Sequence, residues 1–147
     1  MNADTFTKNY YLYHDIDAPI GTPKARFRLI SWDADATWGN SWDGVILSTD
    51  QSSWHGTDAF SPRLLSISEY RASYRDGYLE ALESDLGQQV ILLRVAAIES
   101  LIATAARADL LHWQREGNFD DETARLRDAI EARVQTMKTV MSELEVP

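Results

Sequence analysis

Residues 9–33 read NYYLYHDIDAPIGTPKARFRLISWD, and the reading of this stretch decides the fold. Asn9–Asp15 is rich in aromatic side chains. Ala25–Trp32 alternates Phe27, Leu29 and Ser31 with Arg28, Ile30 and Trp32. Aromatic and β-branched residues at a period of two suit a pleated surface, so both pieces are expected to be strands. Between them, Pro19, Gly21 and Pro23 interrupt any ladder, which predicts a hairpin with a long connection. The second strand runs into Asp33 and Asp35. Two carboxylates at i and i+2 on an extended chain lie about 6–7 Å apart on one face. Buried, such a pair calls for a cation; solvated, it calls for nothing.

Outward from this stretch, composition divides the chain near residue 60. Residues 1–60 carry ten of the fifteen aromatics and eight aspartates but no glutamate, whereas all nine glutamates follow. Aspartate without glutamate marks turns and caps, because the short side chain folds back onto its own backbone. Residues 36–62 form a long turn-rich segment with one apolar piece, Val45–Leu47; such a loop in a compact domain usually has a function or is mobile.

Three helices are expected after it. Ser66 or Ser68 caps the first, in which Tyr70, Tyr74, Tyr78, Leu79 and Leu82 recur at helical spacing before Gly87. The second runs from Gln88 to about Glu116, with Leu93, Ala97, Leu101, Ala105, Ala108 and Leu111 as its core side and Gly117-Asn118 as its stop. The third starts at an Asp120 or Asp121 cap and reaches about Glu143; Leu126, Ile130, Val134, Met137, Met141 and Leu144 form an amphipathic stripe. The fold class is therefore α+β, with a β-hairpin and loops over residues 1–60 followed by about three α-helices, all within a single domain over residues 1–147.

The net charge of −9 excludes a general nucleic-acid binder, which needs a basic face. An acidic nucleic-acid mimic is disfavoured because arginines are interspersed with the acids. No apolar run approaches the roughly 18 residues of a membrane span, and residues 1–20 lack a signal-peptide pattern; no membrane partner is expected. The chain has no cysteine, so redox chemistry gives no compartment, and its three scattered histidines do not suggest zinc.

Upstream of the hairpin, Asp4 and Asn9 are separated by four residues. The order Asp-x4-Asn, strand, connection, strand, Asp is that of protein-kinase catalytic centres. There an aspartate accepts the hydroxyl proton, an asparagine holds a metal, and a second aspartate grips Mg²⁺. One amide and one carboxylate suit Mg²⁺, which takes hard oxygens and leaves positions for phosphates and water.

The wording of the chain also resembles the CotH spore-coat kinase family. KNYYLYHD (8–15) is similar to its Asn-Tyr-Tyr-Leu-Tyr strand, and FRLISWDADATWG (27–39) to its strand ending in Trp-Asp-x-Asp. SPRLLSISEYRASYRDGYLEAL (61–82) resembles its leucine-pair and Glu-Tyr-Arg helix segment. Residues 109–141, with Asp109, Trp113 and Arg133, resemble its C-terminal helices. The resemblance covers nearly all of residues 2–145. It implies an atypical protein-kinase-like fold that moves the γ-phosphoryl of ATP, with Mg²⁺, to serines of a protein substrate. Carried over, Asp4 is the catalytic base, Asn9 a metal ligand, and Asp33 or Asp35 the principal Mg²⁺ ligand, with the choice between them open. Lys8 is a candidate phosphate contact, against the default of an exposed lysine.

A glycine-rich loop, a strand lysine and its partner glutamate do not precede Asp4 in this chain. It is accordingly expected to correspond to the C-terminal lobe of a CotH-like kinase, truncated relative to it and lacking the ATP-binding lobe. An upstream lobe or self-association is then an expected partner. Trp32, Trp38, Trp42 and Trp54 read as packing anchors rather than as stacking platforms for a sugar or base. His55 reads as a loop residue near a site. Arg71, Arg75 and Arg133 read as helix-surface or interhelical ion-pair residues. The alternative function is a non-catalytic protein-interaction module with an acidic, aromatic-rich surface.

Overall fold

The computed structural model describes residues 9–33, 37–41, 43–48, 54–56 and 60–146. Its elements in chain order are β1 (Tyr10–Tyr13), a 3-10 turn (Pro23–Ala25), β2 (Arg28–Ser31), α1 (Ser61–Leu65), α2 (Ser68–Glu83), α3 (Gln88–His112) and α4 (Phe119–Ser142). This is the α+β arrangement expected: an antiparallel two-stranded hairpin, then three long helices.

The hairpin pairs Tyr10 with Ser31, Tyr11 with Ile30, Leu12 with Leu29 and Tyr13 with Arg28. The Trp32 amide donates to the Asn9 carbonyl at 3.1 Å, extending the ladder by one pair. Both strands are shorter than the sequence suggests; ahead of β2, Pro23 draws Lys24 and Ala25 into the 3-10 turn. The alternation holds: Tyr10, Leu12, Phe27 and Leu29 face Phe60 and Leu64 across an apolar groove of about 500 Å³. On the other face Tyr11 stacks on Trp32 at 6.0 Å.

The core lies where α4 crosses α2 and α3. Ile130, Val134, Met137 and Met141 of α4 and Leu82 of α2 are buried together, with Tyr74, Tyr78, Leu79, Ile91, Leu92 and Val95 packed around them. The α4 stripe is thus the core face predicted from its spacing. The predicted core side of α3 is corrected: Leu93, Leu101 and Leu111 are 63%, 83% and 80% exposed. Apolar residues surround α3, so periodicity does not choose a face; the helix turns Ile91, Leu92 and Val95 inward instead. By length and composition α3 is long and apolar enough to cross a membrane. That qualifies the expectation drawn from uninterrupted apolar runs. Here its inner side packs on α4, and Glu99 at mid-helix pairs with Arg127 of α4.

Three helix ends differ from expectation. Neither Ser66 nor Ser68 caps α2; its N-cap is Ile67, without a side-chain bond, and Ser66 donates back to the Arg63 carbonyl at 2.7 Å. The turn α1 was not foreseen. Pro62, which fits a first helical turn, starts it. Helix α3 stops at His112 rather than Glu116: Gln114 takes a left-handed φ of 50°, and Arg115 N–H reaches the Leu110 carbonyl at 3.1 Å, a Schellman closure. The cap of α4 is Asn118, whose side-chain oxygen accepts from Asp120 N–H at 2.8 Å, and not Asp120 or Asp121.

Candidate metal and phosphate site at the hairpin end

Asn9 stands immediately before β1, and Asp33 two residues beyond β2. Antiparallel pairing therefore returns Asp33 to the level of Asn9. The Asn9 side chain is 4% exposed and is the one buried polar residue among those described. Its Nδ2 donates to the Asp33 carbonyl at 3.3 Å. A carbonyl only accepts, so this bond fixes the amide's orientation and makes Oδ1 the one atom of the amide able to ligate a cation. Asp33 itself is exposed and has a left-handed φ of 55°, a conformation aspartate tolerates better than most residues. The bend takes the chain out of the strand where the carboxylate is presented.

Of the sequence-predicted residues, Asn9 and Asp33 are therefore adjacent. Asp4, Lys8 and Asp35 lie outside the described residues. Among the described residues, no three His, Cys, Asp or Glu side chains gather as a metal centre. An amide oxygen and one exposed carboxylate fit the hard-oxygen preference of Mg²⁺, with phosphate and water oxygens filling the remaining positions.

A second cluster forms between the loop and α2 and α4. Trp38, Trp54, His55, Tyr74, Tyr78 and Arg133 line a cavity of about 300 Å³. Tyr74 donates its hydroxyl to the Trp54 carbonyl at 2.7 Å. Burial, reinforced by Tyr78 and opposed by Arg133, pushes the Tyr74 phenol up to about 12. His55 lies edge-on to Trp54, ring centres 4.5 Å apart. Trp38 and Trp54 pack on the core as anchors, whereas Trp32 stays 49% exposed and Trp42 lies outside the described residues. In the sequence Trp38, Trp54, His55 and Arg133 stand out only one by one, and Tyr74 and Tyr78 have the spacing of core residues. Only the packing of α2 on α4 shows that they share a cavity. Arg71 bonds the carbonyls of Leu65 and Glu145 rather than an acid, and Arg75 pairs with its neighbour Asp76.

The loop leading to this cavity is tied down by α4. Arg125 Nη2 donates to Asn40 Oδ1 at 2.6 Å, and its Nε meets Glu122 at 2.8 Å. A bridge between Asn40 and Ile46 closes the loop.

Comparison with known proteins decides the family: the model described as CotH kinase protein matches residues 1–137. The chain belongs to the CotH family. It is also similar to the Inner spore coat protein H of Bacillus subtilis (strain 168), 28% identical over 143 residues. That alignment takes in 97% of this chain but 38% of the relative, so the chain spans well under half of the longer CotH protein's length. No solved structure matches it.

Proposed function

We propose that this chain is the metal- and base-bearing lobe of a CotH-type protein kinase, which transfers the γ-phosphoryl of ATP to serine hydroxyls with Mg²⁺. One observation carries the reading: the buried Asn9 amide reaches the backbone of Asp33, 24 residues away, at the end of the hairpin. That juxtaposition is what the order Asp-x4-Asn, strand, strand, Asp requires. Asn9 Oδ1 and the carboxylates of Asp33 and Asp35 would hold Mg²⁺, which supplies charge neutralisation and orientation of the phosphates when bound. Asp4 takes the serine hydroxyl proton as the serine oxygen bonds to the γ-phosphorus and ADP departs. Lys8, beside Asn9 in sequence, contacts a phosphate oxygen.

The family, the paired residues and the hard-oxygen donor set support this reading. The chain alone is expected to bind Mg²⁺-ATP weakly and to transfer phosphate poorly, since the nucleotide cradle of a kinase is not among its residues. Titration calorimetry with Mg²⁺-ATP on the chain and on the double variant Asp33→Asn/Asp35→Asn tests it. Loss of the heat in the variant is expected, and identical titrations would refute the assignment. Robust single-turnover transfer by the chain alone would refute the expected dependence on further polypeptide.

A second reading, a non-catalytic protein-interaction module, is favoured by the open apolar groove of Tyr10, Leu12, Phe27, Leu29, Phe60 and Leu64. Under that reading the double variant keeps full partner binding.

A further inference from the structure

The cavity of Trp38, Trp54, His55, Tyr74, Tyr78 and Arg133 has no part in the transfer chemistry at the hairpin end. Its volume is about 300 Å³. Although the chain carries a net charge of −9, the one formal charge among the described residues of this wall is positive, that of Arg133. Other cavities of the molecule differ: the one beside Arg125 has Asp128 in its wall, and the one between α3 and α4 has Glu99 and Glu122. Arg133 already favours negative charge here, since it opposes the effect of burial on the Tyr74 phenol. A guanidinium has five N–H donors, so one can turn to a ligand whatever the others hold.

Two further polar atoms of the wall are uncommitted. His55 Nδ1 lies 2.6 Å from the Gly56 carbonyl. A carbonyl only accepts, so Nδ1 carries the hydrogen and Nε2 is the ring nitrogen left for a ligand. Among the described residues nothing hydrogen-bonds Nε2 or the Tyr78 hydroxyl, whereas the Tyr74 hydroxyl is spent on the Trp54 carbonyl. Trp38 and Trp54 pack on the core. They serve as apolar walls, which strengthen polar contacts between them, rather than as stacking faces for a sugar or base.

We propose that this cavity binds a phosphomonoester, the side chain of a phosphoserine in a peptide, and so selects substrates for the phosphotransfer site. Three terminal phosphate oxygens match three groups, the Arg133 guanidinium, His55 Nε2 and the Tyr78 hydroxyl; a carboxylate has an oxygen too few. Neutral Nε2 accepts the proton of a phosphate monoanion, and protonated Nε2 donates to the dianion, so both states make the same bond. Position favours a peptide. Thr37, also in the wall, stands four residues after Asp33, and four residues of chain span at most about 14 Å. A peptide laid from the hairpin end to the cavity would carry its phosphoserine about four residues from the serine to be phosphorylated. A serine kinase makes this very group, so one transfer would create the recognition element for the next. That role in substrate choice rests on the phosphotransfer reading; the anion site does not.

Isothermal titration calorimetry on the full chain, without Mg²⁺, separates the possible ligands. The probes are a short peptide with one phosphoserine and one serine about four residues apart, the same peptide unphosphorylated, and inorganic phosphate. The phosphopeptide is expected to bind at least about tenfold more tightly than either control. Arg133→Met should weaken it about tenfold or more, and Tyr78→Phe and His55→Ala each about three- to tenfold with circular dichroism unchanged. Asp33→Asn/Asp35→Asn should leave this affinity as it is, so failure of the metal site and failure of the cavity are told apart. Equal affinity for the two peptides, or no heat from either, would overturn the proposal. Inorganic phosphate binding as tightly as the phosphopeptide would assign the cavity to the free ion and reject the peptide. Phosphopeptide affinity unmoved by both Tyr78→Phe and His55→Ala would place the contact elsewhere and reject the cavity.

Discussion

Replacing Asn9 by aspartate alters a single atom and separates a cation site from a merely structural amide. In the native chain Asn9 Nδ2 donates to the Asp33 carbonyl at 3.3 Å in a buried position. Aspartate has no donor there, so a hydrogen bond worth about 1 kcal/mol is lost and a carboxylate oxygen is turned toward a carbonyl oxygen. With the burial cost of that oxygen the destabilisation should total about 2–4 kcal/mol. For a chain of 147 residues this lowers the melting temperature by about 6–12 °C. Asn9→Ala is the control. It loses the same bond but adds no charge, and should cost about 1–2 kcal/mol. If the hairpin end gathers Mg²⁺, the new carboxylate strengthens the site. Mg²⁺ at about 100 times its dissociation constant then returns about 2.7 kcal/mol to Asn9→Asp. Asn9→Ala should gain less from the metal than wild type. The assay is thermal unfolding by circular dichroism with and without MgCl₂. If Mg²⁺ shifts Asn9→Asp no further than it shifts wild type, there is no ion pocket at the hairpin end and the phosphotransfer reading fails with it.

Other perturbations address the frame around the site. Met137 is fully buried between α2 and α4, so Met137→Ala should cost about 2–5 kcal/mol in urea unfolding; a cost under about 1 would mean that the core is misplaced. Asn118→Ala removes the cap on Asp120 N–H and should lower stability by about 1 kcal/mol; an unchanged urea midpoint would show the cap to be idle. The Tyr74 phenol is raised to about 12, so folding favours its neutral form. Its contribution is intact below pH 10, where the unfolded phenol begins to ionise, and is lost as pH climbs to 12. Urea midpoints measured across that range should fall less steeply in Tyr74→Phe. An equally steep fall would clear Tyr74 of any part in alkaline unfolding.

The sequence disclosed those features that local chemistry enforces. Alternation in residues 27–32 and the prolines at 19 and 23 define a hairpin whatever surrounds them. The α4 stripe from Leu126 to Leu144 has only one apolar side to bury. Helix α3 differs because its apolar residues occupy its whole circumference. Which face turns inward depends on α4, which takes Ile91, Leu92 and Val95 rather than Leu93, Leu101 and Leu111. Helix ends depart from expectation where neighbouring polar residues offer more than one boundary: Asn118 accepts from Asp120 N–H and starts α4 ahead of an Asp120 cap, and Gln114 takes a left-handed position usually left to glycine. At the site, the adjacency of Asn9 and Asp33 followed from antiparallel pairing alone. The cavity around Tyr74 and Arg133 did not, because it exists only once three segments distant in sequence have packed.

The hairpin has a further consequence. It consists of two four-residue strands with largely exposed faces, and a ribbon of two strands holds itself together only marginally in water. The Asn9 grip on Asp33 is the clasp at one end of that ribbon, so fraying of the backbone and opening of the clasp are a single event. Any ion or nucleotide captured there draws its affinity partly from suppressing that fraying. Deuterium uptake at Tyr11 and Ile30, which such a ligand never touches, would slow in step with its occupancy.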